Sequence, residues 1–205
     1  MIKSIRVNLT LSKVLQLIVL TYQSIAVVIF VAALVFAYNW LQQPFLGAFF
    51  EPTMVRNQAG PGKPSEAWQL YNQGVEHGDQ LLSVAGQEIH NSKELEQLLS
   101  DFFPGETVPV VMRSMAGKVT TYNVELHQFP ISDRTSYLIV PSIVSIAFFA
   151  LSLWIFGLRR NEPSGRAFTV FVSSMALVAG LFFDLYTTHR FSYFWALALP
   201  MAGAH

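Results

Sequence analysis

The sequence predicts helical membrane spans joined to a small α+β, barrel-like domain, and three observations carry that prediction. Apolar residues make up 52% of the 205-residue chain and are concentrated before Tyr38 and after Tyr137. The stretch between those points holds most of the glycines, prolines and acidic residues. Basic residues flank the apolar runs in two short groups, Lys3, Arg6 and Lys13 in one and Arg159, Arg160 and Arg166 in the other. A mean hydropathy of +0.40 with only 13% charged residues lies outside the range of an ordinary water-soluble domain.

The first span is expected over residues 14–38, "VLQLIVLTYQSIAVVIFVAALVFAY", preceded by a cytoplasmic segment 1–13. A helix needs about 20 mostly apolar residues to cross the hydrocarbon core. Gln16, Gln23 and Ser24 are its weak points. The run exceeds the roughly 7–15 apolar residues of a cleaved signal, so an uncleaved anchor is expected. The second span is expected over 137–158, with Pro141 in its first turns, where a missing N–H costs little. A short loop, 159–166, leads to a third span over 167–186. The last apolar stretch, 191–205, is too short to cross at ~1.5 Å per residue. It reads as an interfacial piece or as the start of a fourth span in a longer protein, and the second reading is preferred.

Orientation follows from short-loop basic residues, which favour the cytoplasmic side. Both basic groups meet that rule if the two spans are separated by one outside segment, which places the insert 39–134 beyond the cell membrane. Tyr38, Trp40, Tyr137 and Trp154 fall near the expected span ends, where amphipathic rings prefer to lie. Asp184 stands at membrane depth in the third span, and an interfacial carboxylate reaching water beside Thr187 and His189 is the simpler expectation there.

Within the insert, "AFFEPTMVRN" (48–57) reads as a strand, with Phe49 and Val55 available for burial. Pro61, Gly62 and Pro64 break the chain before a short helical turn that runs from Ser65 to Gly74. "QLLSVAGQEI" reads as two strands around a turn at Ala85 and Gly86. "NSKELEQLLSDFFPG" is the clearest helix, with Asn91 or Ser92 as cap and Glu94 and Glu96 in its first turns. Leu95, Leu98, Leu99 and Phe102 recur at helical spacing on one face, and Pro104 with Gly105 ends it. "TVPVVMRS" and "VTTYNVELHQF" form a hairpin around Ala116 and Gly117.

These segments together resemble a bacterial PDZ domain over residues 44–126. Gly74, Gly78 and Asp79 match the G-x-x-x-G-D turn of that family, and "LLSVAGQEI" matches its strand pair, with Ala85 where Asn is usual. Residues 92–99 match its groove helix and 113–126 its closing hairpin. In such domains a peptide adds as an extra strand to the sheet edge. The resemblance therefore implies a peptide or protein C-terminus or extended segment as partner. It puts the carboxylate-binding loop at Phe45, Leu46, Gly47 and Ala48, with strand partners from Phe49 and Phe50 to Glu51. Ser92, Glu96 and Leu99 would line the helix side, with Leu95 and Leu98 left for the core. Two departures stand out: the loop lacks the usual aliphatic ending, and Pro52 removes one N–H from the strand. Peptide capture and packing against the membrane or another protein with the groove unused both remain open.

The region from Gly157 onward is similar to the membrane part of certain bacterial multi-pass signalling proteins. In those, an anchor and an outside PDZ-like domain precede several spans and a histidine kinase or serine phosphatase output. A sensory front end is the function this implies. The alternatives are a substrate-recruiting component of a membrane protease system and a non-catalytic scaffold. The bilayer is a partner in every case, and a homodimer is open.

No catalytic constellation stands out. H-E-x-x-H, G-x-S-x-G, a P-loop and G-x-G-x-x-G are all missing. His77, His90, His127, His189 and His205 are dispersed without ligand spacing. No enzyme activity, cofactor or metal is expected from this chain. A zero net charge without a basic block argues against nucleic acid. The absence of cysteine rules out disulfides and thiolate chemistry.

Overall fold

The computed structural model describes residues 2–63 and 65–203, with side chains from Thr10 onward. The side chains of Lys3 and Arg6, together with Pro64 and His205, lie outside the described residues. The chain divides into two units. One comprises Met1–Ala33, Val140–Phe182 and Phe191–His205, and the other Leu34–Ile139 and Phe183–Arg190.

The first unit is helical. α1 (Ile2–Trp40) runs unbroken well beyond the apolar stretch read as the span, and its last turns, from Leu34, belong to the second unit. α5 (Val140–Arg159) and α6 (Pro163–Gly180) form an antiparallel hairpin, and α8 (Ser192–Gly203) packs on α6. Two helical stretches, Thr10–Trp40 and Ile131–Arg159, are long and apolar enough to cross a membrane. The second is continuous from α4 (Ile131–Arg134) through a π-helical turn at Thr135–Ile139 into α5. That wider turn sits just before Pro141, whose ring would crowd the carbonyl four residues back in a regular helix.

The third expected span, 167–186, is not one helix. α6 ends at Gly180, Leu181 caps it, and α7 (Phe182–Tyr186) is a separate piece. Glycine is a weak helix former, and here it is needed for packing. A Cβ on Gly180 would lie 2.5 Å from the Phe30 ring and 2.7 Å from Ser145 Oγ.

The second unit carries a four-stranded antiparallel sheet, ordered β2-β1-β3-β4, with β1 (Gln80–Val84), β2 (Gln87–Glu88), β3 (Thr107–Arg113) and β4 (Val119–Glu125). The fold is mixed α+β, and among the described residues the sheet is open, extended only by isolated bridges such as Phe45 to His127. In β3 the expected period of two is plain: Val108, Val110 and Met112 are buried while Thr107, Pro109 and Arg113 are exposed. They join Leu70, Leu81, Val84, Val124 and Leu126 in the core.

The strand read over 48–57 is corrected. Those residues form a tight reversal bridged at Phe50 and Arg56, with Pro52 and Thr53 exposed at its tip and Met54 in a left-handed conformation at φ 61°. Pro52 cannot donate to a ladder and so favours a turn over a continuous strand. The turn residues behave as their chemistry requires. Gly78 has φ 93°, and a Cβ there would lie 2.6 Å from Met115 Sδ. Asp79 accepts the Glu76 N–H at 2.9 Å and the Met115 N–H at 3.3 Å.

A second cluster in this unit is aromatic. Trp68 is fully buried, packs on Phe45 and Phe49 at centroid distances of 4.9 and 5.1 Å, and donates from Nε1 to Asp133 Oδ2 at 2.8 Å. Asp133 is 1% exposed. The proline- and glycine-bearing segment around Gly60 and Gly62 is therefore tied down, with Gly60 O accepting from Tyr137 Oη at 2.7 Å.

Candidate functional site

α3 (Ser92–Leu99) starts where its sequence directs. The Asn91 side chain accepts the Glu94 N–H at 3.0 Å, and the Glu94 carboxylate accepts the His90 N–H at 2.7 Å in return. The helix so fixed presents Ser92, Leu95, Glu96 and Leu99 as one stripe at i, i+3, i+4 and i+7. Opposite this stripe run residues 45–50.

The two sides enclose a cleft lined by Phe45, Leu46, Ala48, Phe49 and Phe50 from one wall and Ser92, Leu95, Glu96 and Leu99 from the other. The expected assignment of the helix face needs one change. Leu95 lines the cleft with Ser92 and Glu96, whereas Leu98 turns to the core and Leu99 serves both. The 3.6-residue period makes Leu95 a neighbour of Ser92 and Leu99.

Gly47 has a packing role of its own. It has φ 90° and does not line the cleft. A Cβ there would stand 2.5 Å from the Gln69 backbone N, and its carbonyl accepts the Tyr71 N–H at 3.2 Å. The glycine is required for close approach of this loop to α2 (Gln69–Asn72). Phe45 and Phe49, both 2% exposed, commit their rings to the aromatic cluster while bordering the cleft, and Phe50 joins the main core.

The backbone of the wall has a defined free edge. Asn57 N donates to Phe49 O at 2.8 Å and Glu51 N donates to Val55 O at 2.7 Å. Alternation in an antiparallel pair then turns the N–H and C=O of Phe50 the other way, toward the cleft. Phe50 O accepts there from His189 Nε2 at 2.7 Å.

Glu96 is the charged group of the site. Its side chain is 15% exposed and pairs with Arg190 Nη2 at 3.0 Å. Burial pushes the Glu96 carboxyl up, and the neighbouring Arg190 pulls it back in part. Glu96 Oε1 and Ser92 Oγ are buried without a hydrogen-bond partner among the described residues. The remaining volume is about 40 Å³, room for a water or two.

Sequence reasoning missed the contribution of residues 187–190. Thr187 lines the cleft, and His189 and Arg190 bond its two walls. Asp184 is likewise not an interfacial carboxylate reaching water. It is 3% exposed and accepts from Thr188 Oγ1 and, at 3.1 Å, from the Arg190 N–H. Among the described residues no group of acidic and histidine side chains is arranged to hold a metal ion.

No protein-family model matches the chain. No curated protein matches it. Among solved structures, an aminopeptidase N family protein from Idiomarina loihiensis resembles 42% of this chain over 14% of its own length, at 16% identity and a TM-score of 0.34. A likeness of that size carries no argument about activity.

Proposed function

We propose that the second unit is a PDZ-like module that captures a peptide or protein C-terminus or extended segment, held outside the cytoplasm by membrane spans as the sensory front end of a bacterial signalling protein. One observation carries this reading. The outward-turned backbone of Phe50 faces the Ser92, Leu95, Glu96 and Leu99 stripe across a cleft, the arrangement in which an added strand gains main-chain bonds on one side and side-chain selection on the other.

The membrane part rests on two apolar helices and on the basic residues that flank them. It also requires an even number of crossings between Ile139 and Phe183. Two crossings there would be made by α5 and α6, which are joined by a short loop and pack on each other. For a captured segment to signal, it must favour one arrangement of the spans over another.

The test is binding of a random peptide library to the full chain in lipid nanodiscs, read by fluorescence anisotropy. Selected peptides are expected to bind the wild-type chain and to lose affinity when Leu95→Asp places a charge in the cleft. Failure of every peptide to bind more tightly than ~1 mM overturns the reading.

A further inference from the structure

The cleft is closed by the chain's own residues. His189 reaches Phe50 O, the edge acceptor that an added strand would use. Arg190 reaches Glu96 on the opposite wall, and Thr187 lines the cleft. These contacts join positions 139 and 94 residues apart in sequence. They are supported from behind by Asp184, which accepts from Thr188 Oγ1 and the Arg190 N–H and whose backbone carbonyl takes the His189 N–H at 2.9 Å. The Arg190 guanidinium also lies 4.5 Å from the Phe36 ring centroid.

We propose that residues 187–190 are an intramolecular ligand of the groove, and that the external segment that displaces them carries an arginine or lysine that takes over Glu96. This rests on the peptide-binding reading above and adds the ligand's charge and its competitor.

The chemistry favours a basic ligand. Once Arg190 leaves, Glu96 is a largely enclosed carboxylate, and an ionised group in such a place is costly without a partner. A neutral segment would leave it uncompensated, and an acidic one would repel it. A guanidinium or ammonium restores the pair, and the second oxygen of Glu96 and the Ser92 hydroxyl, both lacking a hydrogen-bond partner among the described residues, can accept from it. His189, which holds Phe50 O, sits in the left-handed region at φ 54°. A groove open for only a fraction of the time shows an affinity reduced by that fraction, so loosening the turn strengthens capture.

The experiment uses the full chain in nanodiscs and a fluorescein-labelled synthetic peptide copying residues 184–192, together with the same peptide in which glutamine replaces its arginine. Binding of the arginine peptide is expected to tighten roughly tenfold in Arg190→Ala or His189→Ala relative to wild type, as the internal competitor weakens. Glu96→Gln is expected to erase the preference for arginine over glutamine in the peptide. Because the chain has no cysteine, Thr187→Cys gives a single thiol. Its alkylation is expected to be slow in the resting chain and at least several-fold faster with saturating arginine peptide.

Equal affinity for wild type, Arg190→Ala and His189→Ala, with no change in thiol alkylation, overturns the internal ligand. Library peptides that bind while the 184–192 copy binds no variant overturn it as well. An arginine preference that survives Glu96→Gln overturns the charge assignment. Failure of every peptide on every variant is the separate outcome that removes the peptide-binding reading itself.

Discussion

The two units differ in the side chains they expose. In the helical unit, large apolar residues point outward, with Leu17 at 63%, Val28 at 67% and Ile143 at 61% exposure. Polar residues point inward: Gln23, Ser145, Ser152, Thr169 and Ser173 are buried. Gln23 Nε2 donates to Ser152 Oγ at 2.7 Å, Ser152 shares a hydrogen with Ser173 at 2.7 Å, and Ser145 Oγ donates to Ala176 O at 2.8 Å. Gly180 lets the Phe30 ring approach beside that seam. The sheet-bearing unit carries acidic side chains such as Glu76, Glu88 and Glu125 at its surface over a core in which Trp68, Leu70, Val84 and Leu126 are fully buried.

The difference bears on the surroundings each unit suits. In water, removing apolar surface drives packing. Among lipid tails that drive disappears, and close-fitting small residues and hydrogen bonds between helices hold a bundle together. The outward apolar face and inward polar seam of the helical unit match the second situation, and the sheet-bearing unit matches the first.

The comparison breaks most sharply at Trp68. Trp68→Ala removes the largest fully buried side chain of the aromatic cluster and leaves Asp133 without its indole donor. A loss of about 3–5 kcal/mol is expected, read as lost amide-exchange protection in β1, β3 and β4 while α5 and α6 stay protected. Loss of protection in both units together would show that they do not owe their stability to separate interactions.

A smaller effect is expected in the other unit. Ser152→Ala deletes the hydroxyl that links Gln23 to Ser173 and the Thr169 carbonyl. The cost should be about 1 kcal/mol, the size of interhelical hydrogen bonds in lipid, measured by urea or SDS titration in micelles. A cost above that of Trp68→Ala would mean that the polar seam dominates the whole chain.

The smallest change should be favourable. Ala85 occupies the β1–β2 turn at φ 51°, where a Cβ is strained. Ala85→Asn should raise the melting temperature of the sheet-bearing unit by an amount corresponding to roughly 0.5–1 kcal/mol. A lower melting temperature would show that the alanine methyl, packed against the main core, is worth more than the strain it carries.

Much of this architecture is written in local pattern. The apolar run of α1 needs no partner to be recognised, because length and composition decide whether a helix can cross a bilayer. The Asn91 cap, the Gly78–Asp79 turn, the Ala85–Gly86 reversal and the β3–β4 hairpin were all legible for a similar reason. Each is set by the φ or hydrogen-bonding capacity of one or two residues. The errors fall where one backbone constraint or a distant contact overrides the apolar pattern. Pro52 turned an apparent strand into a reversal, and α6 ends at Gly180, packed against Phe30, inside an apolar run that composition alone extends to Tyr186.

The residues facing the cleft were mostly within reach of sequence reading, because the resemblance to PDZ domains implied Ser92, Glu96 and Leu99 for the helix side and residues 45–50 for the other. What closes the cleft was not. His189 and Arg190 meet Phe50 and Glu96 across 139 and 94 residues, and no periodicity, cap or turn signal records such a pairing. Local stretches of sequence determined the helices, turns and strands, because their energetics depend on near neighbours. Only the tertiary structure decided which side chains share the groove, because a contact between distant segments exists only once the chain between them has folded.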